Sequence, residues 1–303
     1  MNYKITCHLM PWELDYALLS FTQLKKSKYY LSDEDNIFID ITLNLSSYII
    51  NWEETKLPKE FFIKKYEELS KLLTDYETKC KVYDGDELYG ALNTQRESTE
   101  SHIDYYMVLN PDMYVTEHLL FYLIDASQQI NKDYFVITPQ IPKLWDSTWD
   151  IISHNDYNHI DYNEWNSIDV YDVRYKFKSS TNDVNIKSIF PYKWAGWMDL
   201  YSKKFWEDFY VSHKDWEGYG PCDFYSMLLA DFAKKQGLDF EQYLLENIIT
   251  HEYPSGPNKQ SYTNYYKDFI VLNNIPDQRK IFESKMTEYL KKGAKELKEK
   301  NII

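Results

Sequence analysis

Glycine is scarce in this chain, 8 of 303 residues. No glycine-rich loop followed by Arg or Lys lies near the N-terminus, which ranks a nucleotidyltransferase low. Cysteine is scarcer still. Cys7, Cys80 and Cys222 are widely spaced and odd in number, so they offer neither zinc-ligand spacing nor a disulfide framework. Such cysteines fit a reducing compartment, the cytoplasm. No run of about 18 apolar residues exists, so no membrane span is expected. Glu13 and Asp15 interrupt the N-terminal stretch, and no signal peptide is expected. Positive charge is also short: 34 Lys and Arg stand against 48 Asp and Glu, a formal net charge of −14. A protein that grips a phosphate backbone usually shows a basic face, so nucleic acid is an unfavoured partner. Peripheral contact with a membrane surface stays open.

What is present points to a folded globular protein. Hydrophobic residues make up 44% and aromatics 17% of the chain, enough for a substantial core in one large or two intimately packed domains. Tyrosine (29), tryptophan (9) and phenylalanine (15) are abundant. Aromatic faces stack on sugars and bases, but a chain rich in Tyr, Asn, Lys and Ile also follows from an AT-rich coding sequence.

The first half alternates two periods. Strand-like runs are Lys4–Leu9, Asn36–Leu45, Lys79–Tyr83, Tyr105–Leu109 and Tyr134–Thr138. Helical spacing occupies Asp15–Tyr30, Pro58–Tyr76, Tyr89–Ser101 and Thr116–Ile130. This alternation predicts an α/β fold with a mostly parallel sheet and helices on both faces. Ligands then gather at the loops that follow the strands: His8–Trp12, Leu45–Ser47, Asp84–Gly85 and Asn110–Asp112. Residues 143–185 show no clear period and suit an insertion or long loops, with a hairpin at Val170–Lys178. Ile189–Tyr201 is expected to return to the sheet. Cys222–Gln236 reads as an amphipathic helix with Gly237 as its C′ residue. The tail Pro276–Lys300 is a second amphipathic helix, expected to pack on the domain or a partner subunit. The expected division is 1–140, 141–260 and a C-terminal extension, 261–303.

Three short stretches carry chemistry. In the first, Asn110-Pro111-Asp112 ends a buried strand, because Pro111 has no N–H to give to a ladder. A carboxylate at the carboxyl end of a core strand suits a hard cation carrying phosphate oxygens; Asp112 suits a helix cap equally well. In the second, Gly218-Tyr219-Gly220-Pro221-Cys222-Asp223 leads into a helix, where Asp223 is either an ordinary N-cap or an acid in the favourable field of the helix N-terminus. In the third, Ile248-Ile249-Thr250-His251 feeds a histidine to the end of a strand; most lone histidines are structural or exposed.

In order, these stretches resemble a glycosyltransferase of the GT-A fold, over about residues 3–256. Leu109-Asn110-Pro111-Asp112 is similar to the Leu-Asn-Pro-Asp element of family 2-like enzymes such as rhamnosyltransferases, which replaces Asp-X-Asp. Residues 218–223 resemble the Gly-Trp-Gly-Gly-Glu-Asp element of the galactosyltransferase group. Gly90 and Asn93 resemble a helix preceding the metal motif, with Arg96 the nearby base. Three positions depart from the pattern: Asn110 replaces a carboxylate, Pro221 a glycine and Cys222 a glutamate.

The resemblance implies a GT-A (Rossmann-like) fold with a C-terminal helical extension. It implies transfer of a sugar from a nucleotide-diphosphate donor to a hydroxyl acceptor, a glycan or polysaccharide, with inversion. Asp223 is then the base. Asp112 and His251 are ligands to Mn²⁺ or Mg²⁺, and His251 follows Asp223 by 28 residues. His8, Asn44, Asp84, Arg96, Asn110 and Asp112 are the donor-binding candidates, for a UDP-sugar first and a GDP- or dTDP-sugar next. Trp194, Trp197, Trp216 and Tyr219 are acceptor-binding candidates, with core packing the alternative for each tryptophan. Two competing readings are a non-catalytic carbohydrate- or protein-binding descendant of the fold and a transferase acting on modified DNA bases.

Overall fold

The computed structural model describes residues 1–47, 57–87, 89–111, 113–140, 185–188, 198–212, 222–249, 251–252 and 278–303. The chain opens with β1 (Asn2–Leu9), α1 (Leu14–Ser27), β2 (Asn36–Asn44), α2 (Lys59–Ser70), β3 (Glu77–Tyr83), α3 (Ala91–Glu97) and β4 (Tyr105–Leu109). It continues with β5 (Met113–Tyr114), α4 (Leu119–Gln129), β6 (Tyr134–Gln140), β7 (Ile186–Ser188) and β8 (Met198–Ser202). A helical segment, Lys203–Phe205 and Trp206–Tyr210, leads on to α5 (Cys222–Lys235), β9 (Phe240–Ile249), β10 (His251–Glu252) and α6 (Gln278–Glu299). The expected hairpin at Val170–Lys178 lies outside the described residues, as does 189–197 of the strand expected at Ile189–Tyr201.

Eight strands form one sheet in the order β3-β2-β1-β4-β8-β6-β9-β7. β3, β2, β1 and β4 are mutually parallel, and β6 is parallel to β9. β8 runs antiparallel between β4 and β6, and β7 is antiparallel to β9. The fold is therefore the expected α/β class with a mostly parallel central sheet. The sheet draws strands from both sides of the expected boundary at residue 140.

Successive residues of a strand point to opposite faces, and the two faces differ. One carries Tyr3, Ile5, Cys7 and Leu9 of β1, Ile37, Ile39, Ile41 and Leu43 of β2, and Met107 and Leu109 of β4, packed with Leu14, Ala17, Phe21 and Leu24 of α1. The other carries Tyr106 and Val108 of β4, Tyr201 of β8, Val136 of β6 and Phe240 of β9, packed with Trp206, Phe209 and α5. Interleaved on that second face are Lys4, Thr6, His8, Asn44, Asp199 and Gln242. The Lys4 ammonium is wholly buried and pairs with Asp40 at 3.1 Å and Glu100 at 3.2 Å. An ammonium that deep is tolerated only when paired.

The C-terminal helix packs on the domain, one of the two placements its amphipathic pattern allows. Tyr289, Leu290, Ala294 and Leu297 of α6 join the second core cluster beside α5. Gly237, at φ +105°, ends α5 as expected of a C′ glycine. Among the described residues no helix is long and apolar enough to cross a membrane.

Candidate active site

The carboxyl ends of β1, β2, β3 and β4 lie along one edge of the sheet, as parallel pairing requires. The loop after β1 is held by Glu13, whose carboxylate accepts from the Met10 N–H at 2.7 Å and so turns the chain into α1. The loops after β2 and β3 are tied to each other. Leu45 N–H donates to the Tyr83 carbonyl at 2.7 Å and Ser47 N–H to the Gly85 carbonyl at 3.1 Å.

His8 is the last residue but one of β1 and lies beneath α3. Its Nδ1 lies 3.0 Å from Thr94 Oγ1, and its ring stacks on Tyr89 at 5.9 Å. The ring is half-buried overall, yet its Nε2 is closed off from solvent and has no hydrogen-bond partner among the described residues. Burial pushes the imidazole pKa down to about 3, so the side chain is neutral near neutrality. Tyr89 stacks in turn on Tyr83 at 4.0 Å. The Lys81 ammonium sits 4.8 Å above the Tyr89 ring, and Glu97 accepts from the Tyr89 hydroxyl at 2.9 Å. A Cβ at position 85 would lie 2.7 Å from the Tyr83 hydroxyl, so any larger residue there would displace the Tyr83 ring. This His8–Tyr89–Tyr83 stack was not read from the sequence. Its three rings come from two strands and a loop, and only the tertiary fold joins them.

Asn44 is wholly buried. Its Nδ2 donates to the Tyr89 carbonyl at 2.6 Å, and its Oδ1 accepts from the Ser46 N–H at 3.1 Å. It holds the segment that presents Tyr89. Asp84 is exposed immediately after β3. Arg96 is half-buried on α3, and its Nε donates to the Val211 carbonyl at 3.3 Å, which ties α3 to the chain leading toward α5.

Asn110 follows β4, and its carbonyl accepts from Met113 N–H at 3.2 Å, closing a turn. Ser20 of α1 secures that turn through the carbonyls of Pro111, at 3.3 Å, and Met113. The expected break after Leu109 is therefore real, and a second strand starts at once: β5 pairs antiparallel with β10, His251 opposite Tyr114 and Glu252 opposite Met113. The strand bearing His251 thus runs beside the two residues that directly follow Asp112 in the chain. Two-residue strands give no sequence period, which is why this pairing was not legible.

Asp112, Trp194, Trp197, Trp216 and Tyr219 lie outside the described residues. For Asp223 and His251 only the backbone is described: Asp223 stands in the first turn of α5, and His251 opens β10. Among the described residues no three His, Cys, Asp or Glu side chains gather in a metal-holding group.

No protein-family model and no curated protein sequence matches the chain. Among solved structures, the chain is similar to S. aureus TarS 1-349, with a TM-score of 0.47 and 8% identity over 91% of this chain and 66% of that one. A further S. aureus TarS structure matches at 0.44 and 9% identity, covering 92% and 41%. TarS 1-349 in complex with UDP-GlcNAc matches at 0.46 and 8% identity, covering 86% and 61%. The chain spans about two thirds or less of the length of these three structures. At such TM-scores the likeness carries no argument about chemistry, and the case for function rests on this chain's own residues.

Proposed function

We propose that this chain is a GT-A glycosyltransferase that moves a sugar from a nucleotide-diphosphate donor, a UDP-sugar first, to a hydroxyl acceptor on a glycan or polysaccharide. The observation that carries the reading is the β5–β10 pairing. It sets the backbone of His251 and Glu252 beside Met113 and Tyr114, the two residues that follow the first motif after β4, and the carboxyl ends of strands are where an open α/β sheet receives its ligands. The sheet supports it further: four parallel strands in the order β3-β2-β1-β4 are followed by the antiparallel β8.

Transfer breaks the bond between the anomeric carbon and the diphosphate oxygen, whose electron pair leaves with the nucleotide. The acceptor oxygen forms the new bond from the opposite side and inverts the centre, and its proton passes to Asp223. General-base assistance of this kind is worth roughly 10²–10⁴-fold. His8 is assigned to the nucleotide side, where Thr94 meets its Nδ1 and Asn44 holds the backbone of Tyr89, on which the ring stacks. Asp84 and Asn110 offer oxygen and amide groups at the ends of β3 and β4, and Arg96 offers a cation from α3. Trp194, Trp197, Trp216 and Tyr219 are assigned to the acceptor side.

The pairing of β5 with β10 fits a divalent cation held by the Asp112 carboxylate and the His251 imidazole. A mixed oxygen and nitrogen set favours Mn²⁺ over Mg²⁺. When bound, such an ion neutralises the leaving diphosphate. The proposed compartment is the cytoplasm, a reading that rests on the wide spacing and odd number of the three cysteines.

A thermal-shift panel of UDP-, GDP-, CMP- and dTDP-sugars, with and without Mn²⁺, tests the reading, because a ligand that binds only the folded state raises the melting temperature. A UDP-sugar shift that needs Mn²⁺ is expected, together with an Asp223→Asn variant that keeps the shift and loses transfer by about 10²-fold or more. No shift with any nucleotide sugar would refute the donor assignment. Binding of an oligosaccharide without donor or metal would favour the non-catalytic reading, for which Asn110 and Cys222 speak.

A further inference from the structure

Gly293 stands inside α6, where glycine is a poorer helix former than alanine. The contact at that point explains it. A Cβ at position 293 would overlap the Tyr225 hydroxyl and press on Leu229 Cδ2 at 3.0 Å. Tyr225 is 2% exposed, and its hydroxyl donates to the Tyr289 carbonyl at 3.2 Å. Tyr289 is one helical turn before Gly293, so the phenol lies in a notch that the missing side chain opens.

Tyr225 stands two residues after Asp223. Its neighbour Ser226 donates to the Phe209 carbonyl at 3.0 Å. The first turn of α5 is therefore anchored on two sides, to α6 through Tyr225 and to the 206–210 segment through Ser226. Neither anchor was visible as a motif.

We propose that α6 is a positioning brace for the α5 N-terminus, and that the Tyr225–Gly293 notch is the contact through which it sets the backbone carrying Asp223. Tyr225 and Gly293 are positioning residues: they act through the first helical turn and touch no reacting atom. The functional half of this inference rests on the assignment of Asp223 as the base; the mechanical half does not.

The test is a double-mutant cycle with Tyr225→Phe and Gly293→Ala in the full chain, read by thermal unfolding and by hydrogen exchange at the amides of residues 226–229. Tyr225→Phe should speed exchange at those amides about three- to tenfold, the loss of one hydrogen bond, and leave the strands of the sheet unchanged. Gly293→Ala should lower the melting temperature in the native background and lower it less in the Tyr225→Phe background, because removing the hydroxyl clears the closest overlap and leaves only the Leu229 contact. Purely additive effects, or an equal rise in exchange throughout the chain, would overturn the brace. Catalysis is read separately, as turnover of a UDP-sugar against UDP affinity by calorimetry. A fall in kcat with UDP affinity unchanged, for Tyr225→Phe, supports the link to Asp223. Loosened 226–229 amides with turnover unchanged would leave the brace standing and overturn its link to the base.

Discussion

The two faces of the central sheet solve different problems. The face under α1 is apolar in every layer: Tyr3, Ile5, Cys7 and Leu9 meet Ile37, Ile39, Ile41 and Leu43 across β1 and β2. Burial of each such Ile or Leu side chain stabilises the fold by about 1.5–3 kcal/mol with no partner atom to be found, while the Tyr3 hydroxyl pairs with Ser127 Oγ at 3.2 Å. The opposite face interleaves aromatic rings with Lys4, Thr6, His8, Asn44, Asp199 and Gln242, all on the inner side of α3, α5 and the 203–210 segment. Each of these polar groups needs a partner to offset its desolvation. Most have one: Lys4 with Asp40 and Glu100, Asn44 with Tyr89 and Ser46, and His8 Nδ1 with Thr94. The first face holds the fold together. The second spends part of that stability on polar groups whose upper members, His8 and Asn44, lie at the edge where the candidate site is built.

If the contrast is real, the polar face should be where pH and polarity changes act. The largest effect is expected from acid. His8 stays neutral in the folded chain down to about pH 3 but protonates near 6.5 when unfolded. Its contribution is complete above pH 6.5 and is lost as the pH falls from 6.5 toward 3, at about 1.4 kcal/mol per pH unit. Urea titrations at pH 7 and pH 5 should therefore differ by about 2 kcal/mol more in the native chain than in His8→Asn. Equal differences in the two proteins would remove His8 from the buried class.

A smaller effect of opposite sign is expected at Gln242, which is wholly buried on β9. Neither end of its amide has a hydrogen-bond partner among the described residues. Gln242→Met keeps the side-chain length and removes the unmet polar atoms, so stability should rise by about 1 kcal/mol. A loss of stability in the same urea titration would mean that the amide does have a partner, and that the polar face is better satisfied than the described residues indicate.

The same contrast governs what could be read from the sequence. Strands buried on both faces give near-continuous apolar runs, and Asn36–Leu45 and Tyr105–Leu109 were legible for that reason. β9 was not, beyond its last residues. Glu241, Gln242, Glu246 and Asn247 break its run, and the strand starts at Phe240, directly after Gly237 ends α5. Helix ends were read too long, as at Tyr89–Ser101, where the helix is Ala91–Glu97, because the flanking residues are ordered by tertiary bonds. The break after Leu109 was legible because proline forces it. The β5–β10 pair was not, since two residues carry no period. At the site, His8 could be found by its place at the end of β1. Tyr89 and Thr94, which define its surroundings, could not, because their contacts with His8 join residues more than 70 positions apart in the chain, and Tyr83 joins the stack only through Tyr89.

The central claim is that the Asp112 and His251 segments share one cation beside a nucleotide diphosphate. Calorimetric titration of UDP in the presence and absence of Mn²⁺, on the native chain and on Asp112→Ala and His251→Ala, tests it most directly. The account expects UDP affinity to depend on Mn²⁺ in the native chain and to lose that dependence in both variants, with the folded state intact. Mn²⁺-dependent UDP binding that survives in both variants would contradict it.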